Sequence, residues 1–305
     1  MKVPSRLAVA PSPLWDVSLS GSPFEVHTGS YAGGGVAVEP AFTVPALLPE
    51  RKPAKCIHAE VGHYRVRLAE SVADRDAVCR LRFKVFNIEL GKGLDASYET
   101  GLDTDHFDLF CEHLLVEDKN DGRIVGTYRM QSGETAATNL GYYSEQEFDL
   151  SPYESLRGEV LELGRAAIDS DHRTPEVLTL LWRGIAQYAT DMQLRYLIGC
   201  SSLNSVDPRE GWQMYGQLGN YRVAQELTTA PTADYECPEP APENDPKAEP
   251  AKVPKLLKTY LAIGARICSA PAWDREFGTI DFLTLLDLRT ISSSARNRFL
   301  APLTQ

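Results

Sequence analysis

A glutamate and an arginine flank a glycine inside an otherwise apolar run, Glu159-Val-Leu-Glu162-Leu-Gly164-Arg165-Ala-Ala-Ile168. The run reads as a strand, and period-two geometry puts Glu162 and Arg165 on opposite faces. A glycine inside a strand often marks a bulge. A bulge adds one residue, can turn both charges to one side, and frees a backbone N–H able to polarise a carbonyl oxygen. The same residues also fit a plain ion pair on an edge strand.

Acids recur upstream in Asp103-Thr-Asp105-His106-Phe107-Asp108. A calcium loop needs glycine at its sixth position and glutamate at its twelfth, and neither is present. The alternatives are a solvated acidic loop, or a cluster meeting Arg82, Arg129 and Arg165 in a cleft, since guanidinium forks grip carboxylates. His113 and Asp118 have the H-x4-D spacing of glycerolipid acyltransferases. Residues five apart on a strand face opposite ways, so they form no dyad. Cys200 ends a short apolar run without a basic neighbour and reads as an inert small hydrophobe. The six cysteines contain no C-x-x-C pair, which disfavours a zinc site or a disulfide framework. No metal ligand set is expected.

The elements that position these residues follow from periodicity. Tyr64-Val66-Leu68 alternates as a strand. Ala77, Leu81, Val85 and Ile88 mark one helix over 73–90. His113–Val116 and Ile124–Met130 are strands joined by Asn120-Asp121-Gly122, a hairpin signal. Thr174 caps a helix starting at Pro175. Tyr196–Cys200 is a strand, 208–218 a helix, 255–267 a helix, 280–286 a strand and 292–300 a terminal helix. This mixture predicts an α/β (α+β) layered fold, a central mixed sheet flanked by helices.

Residues 1–55, rich in Pro, Gly, Ser and Ala, lack a period and read as disordered. One globular domain is expected over 56–302, interrupted by a Pro/Glu-rich linker at about 230–254. The formal net charge of -11 argues against nucleic-acid partners. No apolar run reaches the roughly 18 residues of a spanning helix. Cysteine usage implies a reducing, cytoplasmic location, which leaves room for peripheral contact at the inner membrane face.

Several motifs occur in a fixed order: Leu81-Arg82-Phe83-Lys84-Val85-Phe86, Phe107-Asp108-Leu-Phe-Cys111-Glu-His113, Val125-Gly126-Thr-Tyr-Arg129, Leu161-Glu162-Leu-Gly164-Arg165, Leu181-Trp182-Arg183-Gly184-Ile185, and Phe277-Gly-Thr-Ile-Asp281-Phe282. Together they resemble the ornithine-lipid N-acyltransferases, sometimes labelled hemolysin-like. More distantly, Arg82 with Phe86, Asp105 with Asp108, Arg129, and Glu162 with Arg165 resemble the set of the acyl-homoserine-lactone synthases. Both families share the GCN5-related N-acetyltransferase (GNAT) fold.

The resemblance implies an N-acyltransferase that moves a (3-hydroxy)fatty acyl group from the phosphopantetheine thioester of acyl carrier protein. The acceptor would be the α-amine of an amino acid, with ornithine leading. No bound cofactor is implied. Glu162 becomes the candidate base, with an arginine partner expected to keep it ionised at neutral pH. The N–H near Gly164 becomes the oxyanion donor, and Arg165 joins the catalytic set. Arg82, Phe86 and Arg129 would line or order the substrate site, and Asp105 and Asp108 would hold a cationic side chain. The strand-to-helix turn Asp171-His172-Arg173-Thr174-Pro175 lacks a glycine-rich pyrophosphate loop. Arg173 and Thr174, at a helix N-terminus, would instead bind the single phosphodiester of a carrier arm. The alternatives are an acyl-homoserine-lactone synthase, an acyltransferase for another amino acid, and a non-catalytic module that binds acyl chains or carrier protein.

Overall fold

The computed structural model describes residues 57–240 and 251–299. The segment expected to be disordered, 1–55, lies outside them. Nine strands form one sheet: β1 (His58–Val61), β2 (Tyr64–Leu68), β3 (Glu112–Asp118), β4 (Ile124–Ser132), β5 (Val160–Ile168), β6 (Tyr196–Leu203), β7 (Arg266–Ile267), β8 (Ala272–Asp274) and β9 (Thr279–Asp287). The helices are α1 (Val72–Phe83), α2 (Ser97–Thr100), α3 (Gly133–Thr138), α4 (Pro175–Asp191), α5 (Pro208–Gln217), α6 (Lys255–Ile263) and α7 (Ser293–Phe299).

The sheet order is β1-β2-β3-β4-β5-β6-β9-β7, with β8 also on β9. The β5–β6 pair is parallel and the other described pairs are antiparallel. A parallel pair needs a crossover, and α4 supplies it. Thr174 accepts a hydrogen bond from the Val177 N–H and Pro175 occupies the first turn, as the sequence predicts. The helix buries Val177, Leu181 and Ile185 against Val66, Leu114 and Leu161 on one sheet face. The opposite face carries a second core around Phe148, Tyr153, Ile198 and Leu283.

Besides the helix expected over 255–267, which ends at Ile263 where Gly264 turns left-handed and gives way to β7, two local features depart from periodicity. First, the helix expected over 73–90 is α-helical only to Phe83 and continues as a π-helix over Lys84–Glu89. The Leu90 N–H reaches back to the Val85 carbonyl. A π turn inserts one residue and rotates everything after it. Ile88 is therefore 61% exposed rather than buried, and Asn87 takes the inside position, donating to the Leu94 carbonyl at 2.9 Å. Second, the described part of the expected linker is held to the sheet. Thr229 bridges Ser269, Pro231 bridges Phe148, and Glu236 bridges Ala272. The Trp212 indole N–H donates to the Cys237 and Pro238 carbonyls. Prolines cannot extend a ladder, so the segment attaches through isolated bridges that leave no period to read.

Candidate active site

β5 and β6 pair only at Val160–Tyr196, Leu161–Leu197 and Glu162–Ile198. Beyond that point the strands part. Gly199 sits at the fork, where an added Cβ would lie 2.2 Å from the Leu163 carbonyl oxygen. A cavity of about 340 Å³ opens in the gap. Leu163, Gly164, Arg165 and Ala166 line it from β5, and Gly199, Cys200, Ser201 and Ser202 from β6.

The register makes the two ends of this cavity different. On the α4 face the wall is apolar, with Trp182, Leu197, Tyr260, Ala265 and Leu286. On the opposite face, cross-strand partners place Gln131 beside Glu162, Glu162 beside Ile198, and Ser202 beside Asp281. Period two then keeps Arg129, Gln131, Glu162, Cys200 and Asp281 on one side. The cavity thus crosses the sheet, with hydrocarbon at one end and charge at the other.

The bulge expected from Gly164 is present one step further on. Arg129 pairs with Gly164 and Thr127 with Ala167, so Arg165 and Ala166 together face Tyr128. The left-handed residue is Arg165 itself, with φ of 50°. Such a conformation is uncommon outside glycine and is held by surrounding contacts. The Arg165 guanidinium bonds the Asp105 carboxylate at 3.0 Å and lies 4.2 Å from the Phe277 ring centroid. Arg129 bonds the same carboxylate at 2.6 and 2.8 Å, so the bulge has turned Arg165 to the side of Arg129 and Glu162. An added Cβ at Gly164 would meet nothing within 4 Å, so this stretch of backbone stands open to the cavity.

Glu162 has a different partner from the one the sequence suggested. Arg165 is committed to Asp105. The Glu162 oxygens each accept a backbone N–H at 2.8 Å, from Tyr143 and Ser144. These donors open a 3-10 turn, Tyr143–Gln146. Burial pushes the carboxyl above the ordinary glutamate range, against the two N–H donors and the positive field of Arg129. An elevated carboxylate in a cavity is suited to accept a proton.

The predicted charged cluster forms behind this wall. Arg82 is fully buried; its Nε donates to Asp103 at 2.7 Å and its two terminal nitrogens to Asp108 at 2.8 and 2.9 Å. Asp105 caps the following 3-10 turn in a capping box with Asp108. Arg82, Asp105 and Asp108 do not line the cavity, whereas Phe86, Arg129, Glu162, Gly164 and Arg165 do. The two acids offered by the sequence for a cationic side chain are already neutralised by arginine. His113 is buried, and burial pushes its imidazole down to about 4. Asp118 caps the hairpin turn, accepting the Asn120 N–H at 2.9 Å, so no His113–Asp118 dyad exists. Arg173 is half-exposed, ion-paired to Glu89, and donates to the Ile168 carbonyl at 3.1 Å; Thr174 is the cap of α4. Neither lines the cavity.

Sequence reasoning passed over Tyr143, Ser144 and Glu147, which reach the site only through tertiary packing. It noted Asp281 only within a motif, although a lone acid in the apolar strand 280–286 is a readable signal. Among the described residues, Glu147, Cys200 and Asp281 bring ligand-type atoms within 4.8 Å of one another, a spacing a metal ion could use. The Cys200 thiol donates to Ser144 Oγ at 3.5 Å, and burial followed by the adjacent acids holds its pKa well above the usual range.

The acetyltransferase (GNAT) domain family model matches residues 81–183. L-ornithine N(alpha)-acyltransferase of Agrobacterium fabrum is 32% identical over 249 residues, covering 77% of this chain and 85% of that protein. The enzyme of the same name from Brucella abortus is 32% identical over 263 residues, covering 78% and 89%. Among solved structures, the AHL synthase LasI aligns at 13% identity and a TM-score of 0.46, over 80% of this chain and 99% of that one. The forked GNAT-like sheet, the cavity that crosses it and this degree of identity agree: the chain is an acyltransferase and belongs to the L-ornithine N(alpha)-acyltransferase family.

Proposed function

We propose that the protein transfers a 3-hydroxy fatty acyl group from acyl carrier protein to the α-amine of ornithine, giving a lyso-aminolipid. The observation that carries this reading is the cavity in the β5–β6 fork, apolar toward α4 and carrying Glu162 and Arg165 on the other face. The acyl chain lies along Trp182, Leu197, Leu257 and Tyr260. The thioester carbonyl stands at the fork, and the amino acid approaches from the charged side.

A thioester is already activated, so no covalent enzyme intermediate is required. Positioning, proton removal and oxyanion stabilisation suffice. Glu162 takes a proton from the α-ammonium. The free amine attacks the carbonyl carbon, and the exposed backbone at Gly164 and Arg165 supplies an N–H to the oxyanion. Collapse breaks the C–S bond and expels the carrier thiolate, which takes up the second proton shed by the attacking nitrogen, while the first passes from Glu162 to solvent. Arg129 and Arg165 attract the acceptor's carboxylate. At the N-terminus of α4, Arg173, exchanging its ion pair with Glu89, would meet one phosphodiester beside the Thr174 cap. No helix among the described residues is long and apolar enough to cross a membrane. A carrier-protein donor places the reaction in the cytoplasm, and half-exposed Leu256 on the cavity wall suits contact with a membrane face.

The test supplies 3-hydroxyacyl carrier protein or the matching acyl-CoA with ornithine, and measures free thiol and N-acyl product by mass spectrometry. The expected result is faster turnover with the carrier protein and acylation on the α-nitrogen. Equal or better turnover with acyl-CoA contradicts the donor assignment, and a lactone product would point to homoserine-lactone synthesis instead.

A further inference from the structure

One end of the cavity holds two carboxylates that the mechanism above does not use. Glu147 is 1% exposed, and among the described residues no cation or backbone N–H meets its oxygens, whose polar neighbours are Cys200 and Asp281. Asp281 is 4% exposed and its Oδ1 likewise meets no cation or backbone N–H. Both line the cavity, together with Asp274, which is also buried and is turned toward the Glu276 and Phe277 N–H groups. An unpaired carboxylate taken out of water is strongly unfavourable, so such groups are found paired or on a ligand. No arginine or lysine forms an ion pair with either acid among the described residues.

We propose that Glu147 and Asp281 form the subsite that receives the side-chain ammonium of a diamino-acid acceptor. This rests on the acyl-transfer reading for the identity of the acceptor. The geometry of Ser144 carries the link. Its N–H donates to Glu162, and its hydroxyl accepts from the Cys200 thiol, whose sulfur lies within 4.8 Å of both acids. The base and the acid pair therefore flank one residue on the same face of the sheet. The two nitrogens of an extended five-carbon diamino acid are roughly 6 Å apart at ordinary bond lengths, a span suited to bridging the two positions.

The third polar group of such a molecule also has a place. Arg165 belongs to the cavity wall, and its guanidinium, whose Nε lies 3.9 Å from Asp103 without a hydrogen bond, can attract the α-carboxylate. Burial, followed by the neighbouring acids, raises the pKa of Glu147, and burial with Asp274 raises that of Asp281, so an incoming cation relieves an existing penalty. A metal is the competing occupant. The thiol argues against it: Cys200 is hydrogen-bonded to Ser144 and surrounded by acids that oppose the thiolate a metal would need.

Calorimetric binding to the full chain tests this, with ornithine and 2-aminopentanoate, which keeps the carbon chain without the terminal amine. The wild type is expected to prefer ornithine, and Glu147→Gln and Asp281→Asn each to cut that preference by about 10- to 100-fold, as for hydrogen bonds to charged groups. Circular dichroism and melting temperature report folding of each variant, which removal of a buried acid without a counter-charge should not impair. A folded variant that keeps the preference overturns the proposal, as does a wild type that lacks it. Stoichiometric Zn2+ or Mn2+ binding that is lost in Cys200→Ser also overturns it. Acyl transfer is read separately. Ornithine acylated with preference intact in the variants sinks the subsite alone. Preference abolished without any acyl transfer sinks the acyl-transfer reading and leaves the cation site standing.

Discussion

Arg82 and Glu147 are both buried ionisable residues of one site, and they are satisfied in opposite ways. Every terminal nitrogen of Arg82 meets a carboxylate, and of the acids it meets Asp108 is shared with Arg129 and Asp103 with Arg165. Glu147 meets nothing of the sort. The closed network fixes where the β5 bulge points Arg165. The open acids, with Glu162, face the cavity. Conspicuous charge in a sequence is thus a poor guide to which residues touch substrate, because the network that holds a site together is as charged as the site.

Breaking the closed network should have the largest effect on folding. Arg82→Met strips Asp103 and Asp108 of their main counter-charge, leaving Arg165 at 3.9 Å from the one and Arg129 at 3.1 Å from the other. Removing one partner of such a set typically costs about 3–5 kcal/mol. Denaturant unfolding should show a loss of that size. A variant within about 1 kcal/mol of wild type would mean that the network is not what holds α1 against β4.

The two regions should also titrate in opposite senses. Despite burial, Arg82 and Arg129 hold Asp108 well below the ordinary range. Its contribution is present above the unfolded-state pKa and is lost as pH falls through the folded value. Asp281 is pushed up to about 6, chiefly by burial. Its contribution runs the other way: present below the unfolded-state pKa and lost as pH rises toward about 6. Melting temperature without ligand should therefore fall as pH rises from about 4 through 6, and Glu147→Gln/Asp281→Asn should flatten that slope. An unchanged slope would remove these two acids as its source.

Cys200→Ala is the smallest expected change. Its thiol stays protonated and direct attack by the amine needs no acyl-enzyme, so turnover should stay within a few-fold of wild type. Mass spectrometry trapping an acyl adduct on Cys200 would show the contrary.

Local signals in the sequence were legible. Thr174-Pro175 marks the start of α4, Asn120-Asp121-Gly122 the hairpin, and Gly164 the neighbourhood of the bulge, because caps and turns are set by a few adjacent residues. The motif order also led to the right fold and family. What depended on a shift of register was not legible. One inserted residue in the π turn exposes Ile88 and buries Asn87, and no apolar count anticipates it. The partner of Glu162 was missed for a related reason. Its hydrogen bonds come from the backbone of Tyr143 and Ser144, which carries no side-chain signature. Glu147 reaches the cavity only because the short turn before it packs across β5 and β6.

In the proposed mechanism Glu162 is the proton acceptor. The direct measurement is the single-turnover rate of Glu162→Gln with acyl carrier protein and ornithine, taken with melting temperature on the same preparation. An amide nitrogen placed against one of the two backbone N–H donors should lower stability by about 1–3 kcal/mol. The rate per folded molecule should fall about 100- to 10,000-fold, the usual loss of a general base. In the wild type the rate should rise with pH through an inflection above the ordinary glutamate range, as burial of Glu162 requires, and the variant should lack that inflection. A folded Glu162→Gln enzyme with near-normal rate and an unaltered pH profile would contradict the mechanism.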